Sequence, residues 1–364
     1  MIDNLPAFFT IGGFWTTLVL VFVLLFSSTP VQKSLRNYDR AKYIMAFGYL
    51  LFAIFNLLVI TGRLQLLDSS SLKASILILF TFQLFLFTHV SLILINYNYW
   101  PAKLLIYQLV PVSILSLLIL LSNLFHWSGE INNILFLCLL FFFVISLLAV
   151  SRFFFIHYKK YRKRVENYFS GVGTDRLKWI QVSYLFLLIS GVIVIFATFV
   201  TPRIIVPFYI VAILFYIGYA VHFLNYRNIF SVMRPVLKEK EEIPANLSPL
   251  TFSQIEKSLE NWERQKLFTN PGITIVTVAA EISTNRSYLS QYINRMKNKT
   301  FNDWINGLRI DEAKKIMTAN KKMTIEEIGE RAGYTDKSYF SKCFAKYTGM
   351  TPTQWKEKQQ SSIP

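Results

Sequence analysis

The 364 residues have a mean hydropathy of +0.40, with 53% hydrophobic and only 16% charged residues. That is too apolar and too poor in charge for a soluble domain of ordinary makeup, so the chain must meet lipid. Its net charge of +17 is not in itself a nucleic-acid signature: residues 1–234 hold 18 Lys and Arg against 6 Asp and Glu, residues 235–364 hold 20 against 15, and most of the excess therefore sits in the apolar half.

A bilayer core of ~30 Å needs roughly 20 apolar helical residues, with the backbone satisfied inside each segment. Seven runs meet that test, near 7–26, 43–60, 72–95, 104–121, 131–155, 182–200 and 204–224. The first has no Lys or Arg before it and no small-residue cleavage pattern, so it reads as a retained span rather than a signal peptide. Thr201-Pro202-Arg203 reads as a tight turn that keeps the last two runs from fusing into one span of implausible length.

Lys and Arg in short loops set orientation. Lys33, Arg36, Arg40 and Lys42 follow the first run, Lys103 the third, and Lys159, Lys160, Arg162, Lys163, Arg164, Arg176 and Lys178 the fifth, whereas the alternate loops hold only Arg63, Lys73 and Arg203. This places the N-terminus outside and the C-terminus in the cytoplasm, with the basic run from His157 to Arg164 read as an ordinary topogenic loop. Asn56, Gln83, His89, Asn96 and His222 are polar groups where polarity is costly, which makes each a candidate for signal sensing or for helix-to-helix hydrogen bonding. The apolar half shows no paired carboxylates, no nucleophile with a histidine partner and no metal-ligand spacing. Cys138 and Cys343 give no disulfide framework, and neither an enzyme, a metal nor a cofactor is expected.

The expected organisation is a transmembrane domain over 1–226, a cytoplasmic linker over 227–250 carrying the charged run from Lys238 to Glu242 with Pro244 and Pro249, and a soluble domain over 251–364. From Ser253, Ile255, Leu259, Trp262 and Leu267 give an amphipathic helix that Asn270-Pro271-Gly272 ends.

Beyond it lies an internal repeat of about fifty residues. Thr274-Ile275 with Val278 recurs as Thr324-Ile325 with Ile328, Ser287-Tyr288-Leu289-Ser290 as Ser338-Tyr339-Phe340-Ser341, and Trp304 as Trp355. Each copy reads as a short helix, a turn and a second helix. In the second copy Thr324 and Glu327 form a capping box, Gly333 supplies a positive φ, and Asp336 opens a helix with Phe340 and Phe344 inward and Lys337, Ser338, Ser341, Lys342 and Lys346 outward. In the first copy Asn285 caps a helix with Leu289 and Ile293 inward and Arg286, Ser287, Ser290, Gln291 and Arg295 outward. Two outward faces of basic, amide and hydroxyl groups at a fixed interval suit base edges and phosphates of double-stranded DNA. Between the copies, residues 300–317 open with Thr300 and Asp303 as a second capping box and form a helical strut of about 27 Å, near the ~34 Å separation of successive major grooves on one DNA face.

The stretch TIEEIGERAGYTDKSYFSKCFAKYTGMTP, residues 324–352, resembles the signature of the AraC/XylS family of bacterial transcription regulators, and the resemblance extends back through Arg309, Ala313 and Met317 and the weaker first copy. It implies that the second helix of each copy enters the major groove, with Ser287, Ser290, Gln291, Lys337, Ser338 and Lys342 at the base-reading positions, and that RNA polymerase is a partner. Asn298 stands where the family often has Gly, and Gly329 where it usually has Ala. The resemblance covers none of the apolar half, so the family's usual effectors do not transfer.

The expected fold is thus all-α: a polytopic transmembrane helical bundle followed by two helix-turn-helix units joined by a long helix. The expected function is that of a one-component regulator in the bacterial cytoplasmic membrane, with DNA, RNA polymerase, the lipid bilayer and an unknown signal ligand as partners and a homodimer as a further expectation. The alternative is a transporter or other membrane protein with an appended regulatory domain, which predicts an acidic or metal-binding constellation in the spans.

Overall fold

Long runs of Leu, Ile, Phe and Val leave the backbone nowhere but within the segment to find hydrogen bonds, and helices result. The structure, a computed structural model, describes residues 5–28, 35–62, 69–96, 99, 102–171, 178–197, 205–238 and 249–361. Among these residues the regular structure is helical, with a single isolated β-bridge. The chain divides into two compact units: Met1–Lys159 with Trp179–Lys238, and Lys160–Lys178 with Glu239–Pro364.

The first unit is built from α1 (Leu5–Phe26), α2 (Arg36–Ile60), α3 (Ser69–Ile95), α4 (Ala102–Leu124), α5 (Gly129–Glu166), α6 (Lys178–Ala197) and α7 (Ile205–Lys238). The described part of each of the seven apolar runs falls on one of these helices. Six of them, α2 to α7, are long and apolar enough to cross a membrane, and α1 has a shorter described apolar stretch, Thr10–Phe26. The turn expected at Thr201-Pro202-Arg203 lies outside the described residues, as do Lys33, Arg63, Arg176 and the charged run 239–242 of the linker. α7 continues as helix to Lys238, past the end of its apolar run.

Helix α3 is the most enclosed, with 78% of its most apolar stretch buried, against 11% in α4. The surfaces turned away from the bundle are apolar: Tyr107, Leu120, Phe141, Leu148 and Phe196 are all strongly exposed. Polar groups inside are spent on tying helices together. Gln83 Nε2 donates to the Gly48 carbonyl at 2.7 Å, the Tyr38 hydroxyl to the Phe223 carbonyl at 2.9 Å and the Tyr49 hydroxyl to the Tyr216 carbonyl at 2.8 Å. After α1, Lys42 Nζ and an Arg227 guanidinium nitrogen donate to the carbonyls of Ser27 and Ser28, where the negative end of a helix dipole favours cations.

At about 1.5 Å per residue, the 38 residues of α5 extend about 57 Å, nearly twice a hydrocarbon core. Its C-terminal end carries Lys159, Lys160, Arg162, Lys163 and Arg164, and the residues from Lys160 onward belong to the second unit.

In the second unit, α8 (Pro249–Arg264) buries Ile255, Leu259 and Trp262, and a single 3-10 turn, Leu267–Thr269, follows it. The first repeat is α9 (Ile275–Glu281) and α10 (Arg286–Met296); α11 (Phe301–Ala319) is the strut; the second repeat is α12 (Ile325–Arg331) and α13 (Lys337–Thr348), closed by α14 (Pro352–Ser361). Two hydrophobic cores form, one for each repeat. The first gathers α8, α9, α10 and the start of α11 around Leu289, Ile293 and Trp304. The second gathers the end of α11 with α12 and α13 around Ile328, Phe340 and Phe344, and Trp355 packs against it. The repeated tryptophans thus do equivalent work, one per core.

Candidate nucleic-acid interface

The second helix of each repeat starts where its sequence says it should. Asn285 Oδ1 accepts the Tyr288 N–H at 2.8 Å at the head of α10, and Asp336 Oδ1 accepts the Tyr339 N–H at 2.6 Å at the head of α13. The preceding helices open on reciprocal capping boxes, Thr274 with Thr277 and Thr324 with Glu327. In the second box the Thr324 backbone and hydroxyl hydrogen bonds hold the Glu327 carboxyl below its ordinary range. At α11 the Thr300 hydroxyl accepts the Asp303 N–H, but the Asp303 carboxylate takes the Thr300 hydroxyl instead of the cap backbone.

The left-handed positions are also where expected. Gly333 has φ +95 between α12 and α13, and Asn298 adopts φ 51 after α10, the geometry that Gly would supply. Gly329 lies under the ring of Phe340, where a Cβ would stand 2.9 Å from Phe340 Cδ1. The smaller residue there lets α13 pack more closely on α12 than Ala would.

The two outward faces differ. On α13, Lys337, Ser338, Lys342 and Lys346 are exposed and Ser341 is half-buried, its hydroxyl donating to the Lys337 carbonyl. Lys337 pairs with Glu326 at 3.1 Å with both side chains open to solvent, an interaction of little strength. Lys346 contacts Asp303 at 2.7 Å. Burial pushes the Asp303 carboxyl up, but hydrogen bonding and charge from Lys346, with the Thr300 and Tyr347 hydroxyls, outweigh it and hold the carboxyl below its usual range.

Of the residues expected outward on α10, only Arg295 is exposed. Arg286, Ser287, Ser290 and Gln291, expected to face outward, are half-buried. The Ser290 hydroxyl and carbonyl already accept from Asn294 Nδ2, and the Arg286 guanidinium lies 5.7 Å from the centre of the Tyr168 ring. Four of the five residues expected outward on the first copy are thus half-buried, and the Tyr168 ring lies over one of them, Arg286.

The sequence reading also missed the joint between the repeats. Arg309, in the middle of α11, is buried, and its Nε donates to the Phe268 carbonyl at 2.8 Å while a terminal nitrogen donates to the Asn270 carbonyl at 2.7 Å. Its guanidinium lies 5.6 Å from the Tyr334 ring centre, and burial pulls its pKa down. One side chain thereby ties the turn after α8 to the second repeat. Asn302 is a second node, its Oδ1 accepting from Asn306 Nδ2 and the Gly171 N–H.

With both repeats, their caps and the strut in place, the comparison with known families is decisive: the profile of a helix-turn-helix domain family matches residues 278–358. Residues 278–358 form an AraC-type helix-turn-helix domain. This chain is 30% identical over 92 residues to the uncharacterized transcriptional regulatory protein YesN of Bacillus subtilis, an alignment covering 25% of each chain. It is 37% identical over 84 residues, 23% of this chain and 49% of the relative, to an uncharacterized HTH-type transcriptional regulator in the cgkA 5' region of Pseudoalteromonas carrageenovora. Over 76 residues it is 30% identical to the HTH-type transcriptional activator RhaR of Escherichia coli K12, covering 21% of this chain and 27% of that one. The chain thus spans at most about half the length of these relatives.

Of the candidate sensing residues, His89 is buried between two partners, its Nε2 against Gln108 Oε1 at 2.7 Å and its Nδ1 against the Tyr99 hydroxyl at 2.6 Å. With Gln108 Oε1 accepting, Nε2 carries the proton and Nδ1 accepts from Tyr99. Asn56 and Gln83 are buried, Asn96 lies half-buried at the end of α3, and His222 is exposed and stacks 5.7 Å from Trp179.

Proposed function

We propose that the protein is a membrane-bound, sequence-specific DNA-binding transcription regulator that couples a signal received by its apolar half to promoter binding by its AraC-type domain. The observation that carries the DNA reading is the exposed face of α13, where Lys337, Ser338 and Lys342 stand outward from a helix whose other side is locked into the core by Phe340 and Phe344. Lys can reach guanine O6 and N7 or a phosphate, and the hydroxyl serves either. On α10, Arg286, Ser287, Ser290, Gln291 and Arg295 form the corresponding set. The three relatives named above, each a transcriptional regulator, favour the same reading, and RNA polymerase is its further partner.

Membrane residence is supported by α2 to α7, each long and apolar enough to cross, and by the apolar side chains they turn outward. In this reading the basic loops face the cytoplasm, which puts the AraC-type domain on the side where DNA lies. His89, Asn56, Gln83, Asn96 and His222 are the sensing candidates.

Genome-wide crosslinking and immunoprecipitation of the full-length protein, beside a Lys337→Ala, Lys342→Ala double variant and with membrane fractionation of both, tests this. The expected result is discrete promoter-proximal sites that vanish in the variant while both proteins stay in the membrane. Recovery of the wild type in the soluble fraction, or the absence of discrete sites, contradicts the proposal.

A further inference from the structure

The covering of α10 comes from the segment that follows α5. Residues 168–171 lie as a short strap along the entrance of α9, with Phe169 and Thr274 forming an antiparallel bridge. The Ile275 N–H donates to the Tyr168 carbonyl at 2.9 Å, and the Ser170 N–H and hydroxyl donate to the Ile273 carbonyl at 3.3 and 2.7 Å. The Gly171 N–H donates to Asn302 Oδ1 at 2.9 Å, with Gly171 at φ +119. The Tyr168 ring packs against the first hydrophobic core and faces Arg286, the first residue of α10. All of this lies within the second compact unit.

We infer that residues 168–171 are a releasable autoinhibitory strap, an intramolecular occupant of the first DNA-reading face that must leave before α10 can enter a major groove. The inference rests on the DNA-binding reading above and adds its regulation. Its first ground is size. A major groove about 12 Å wide admits one helix, itself ~10–12 Å across with side chains, and has no room for a helix with a second segment laid over its leading residue.

The second ground is the contrast between the repeats. The equivalent residues of α13, Lys337, Ser338 and Lys342, are exposed, whereas Arg286, Ser287 and Gln291 are half-buried. The strap itself, residues 168–171, bonds to the entrance of α9 and to Asn302 of α11 and sets the Tyr168 ring over Arg286 of α10.

The third ground is that the masked state leaves polar groups poorly served. Gln291 Oε1 is buried with no hydrogen-bond partner, a cost that exposure to water or a base would remove. In a cleft of about 320 Å³ Arg162 and Lys178 stand near Lys342 and Lys346, with Arg162 paired to Glu166 and Lys346 to Asp303.

Helix α5 ends at Glu166, two residues before Tyr168, so the strap follows directly on its basic end.

The test uses the full-length protein in lipid nanodiscs and a duplex enriched by it from a random-sequence library. In a Cys138→Ala, Cys343→Ala background, the pair Phe169→Cys and Thr274→Cys joins the two bridge partners when oxidised, since directly opposed residues of an antiparallel pair suit a disulfide. The oxidised protein is expected to bind at least about fivefold more weakly than the reduced one, the lower range for coupled sites, and to lose hydroxyl-radical protection over one of two half-sites. Tyr168→Ala is expected to bind at least about fivefold more tightly than wild type, with Tyr168→Phe unchanged. Equal affinity and footprint in the oxidised and reduced states, tighter binding when oxidised, or failure of the two cysteines to join would overturn the strap. If neither wild type nor Tyr168→Ala enriches any duplex, the DNA-binding reading itself fails and the strap falls with it.

Discussion

A Cβ on Gly333 would stand 2.5 Å from the carbonyl oxygen of Thr269, and 2.9 Å from the Arg309 Nε that donates to the neighbouring Phe268 carbonyl. The turn of the second repeat is thus pressed against the turn that follows α8, and only a residue without a side chain allows both the approach and the φ of +95. Gly333→Ala should cost about 3 kcal/mol, from left-handed strain and overpacking together. Thermal unfolding of the purified protein checks this, and a melting temperature within a degree of wild type contradicts the close approach.

Arg309 closes the same joint. Replacing it with Met leaves the carbonyls of Phe268 and Asn270 without the donors that now reach them, at about 1–3 kcal/mol for each orphaned group. Arg309→Lys should not rescue, because one ammonium cannot reproduce the planar two-nitrogen reach. Denaturant unfolding of both variants, followed by tryptophan fluorescence from Trp262 and Trp304, measures the difference.

The Asp303 carboxyl is depressed by Lys346, so its contribution to stability is fully present above its unfolded pKa of about 4 and is lost as pH falls through the lower folded value. Asp303→Asn should therefore flatten the acid limb of the stability profile and leave neutral-pH stability little altered, the pair being partly open to solvent. An acid limb as steep in the variant as in wild type would show that other carboxylates carry it.

On the DNA side, Lys342→Ala removes one outward cation. If Lys342 reaches a phosphate, the slope of log affinity against log salt falls by about one and affinity drops for all sequences alike; if it reads a base, the loss is about 1–3 kcal/mol and confined to one position of the site. Binding titrations against specific and scrambled duplexes at several salt concentrations separate the two.

His89 provides a test inside the bundle. His89→Phe strands Gln108 and the Tyr99 hydroxyl, and should lower stability by about 1–3 kcal/mol per group left unpaired. A variant that retains wild-type stability but loses signal-dependent promoter activity would assign His89 to sensing rather than to packing.

The local rules were legible in the residues themselves: seven apolar runs long enough for helices, caps at Asn285, Thr324 and Asp336, the positive φ of Gly333 and the twofold use of one helical unit. Each follows from chemistry over a few neighbouring positions, where period, capping and glycine freedom dominate. What lies far apart in sequence did not follow. Nothing in the spacing of Arg309 shows that it bridges the turn after α8 to the second repeat, because an arginine on a helix is ordinarily solvated and only burial makes it a joint. Nor does the sequence show that Tyr168 covers Arg286, 118 positions later. The second helices of the two repeats look alike as strings of residues, and tertiary structure alone leaves one exposed and the other half-buried, since it decides which backbone the hydrogen-bonding groups at the entrance of α9 find to pair with.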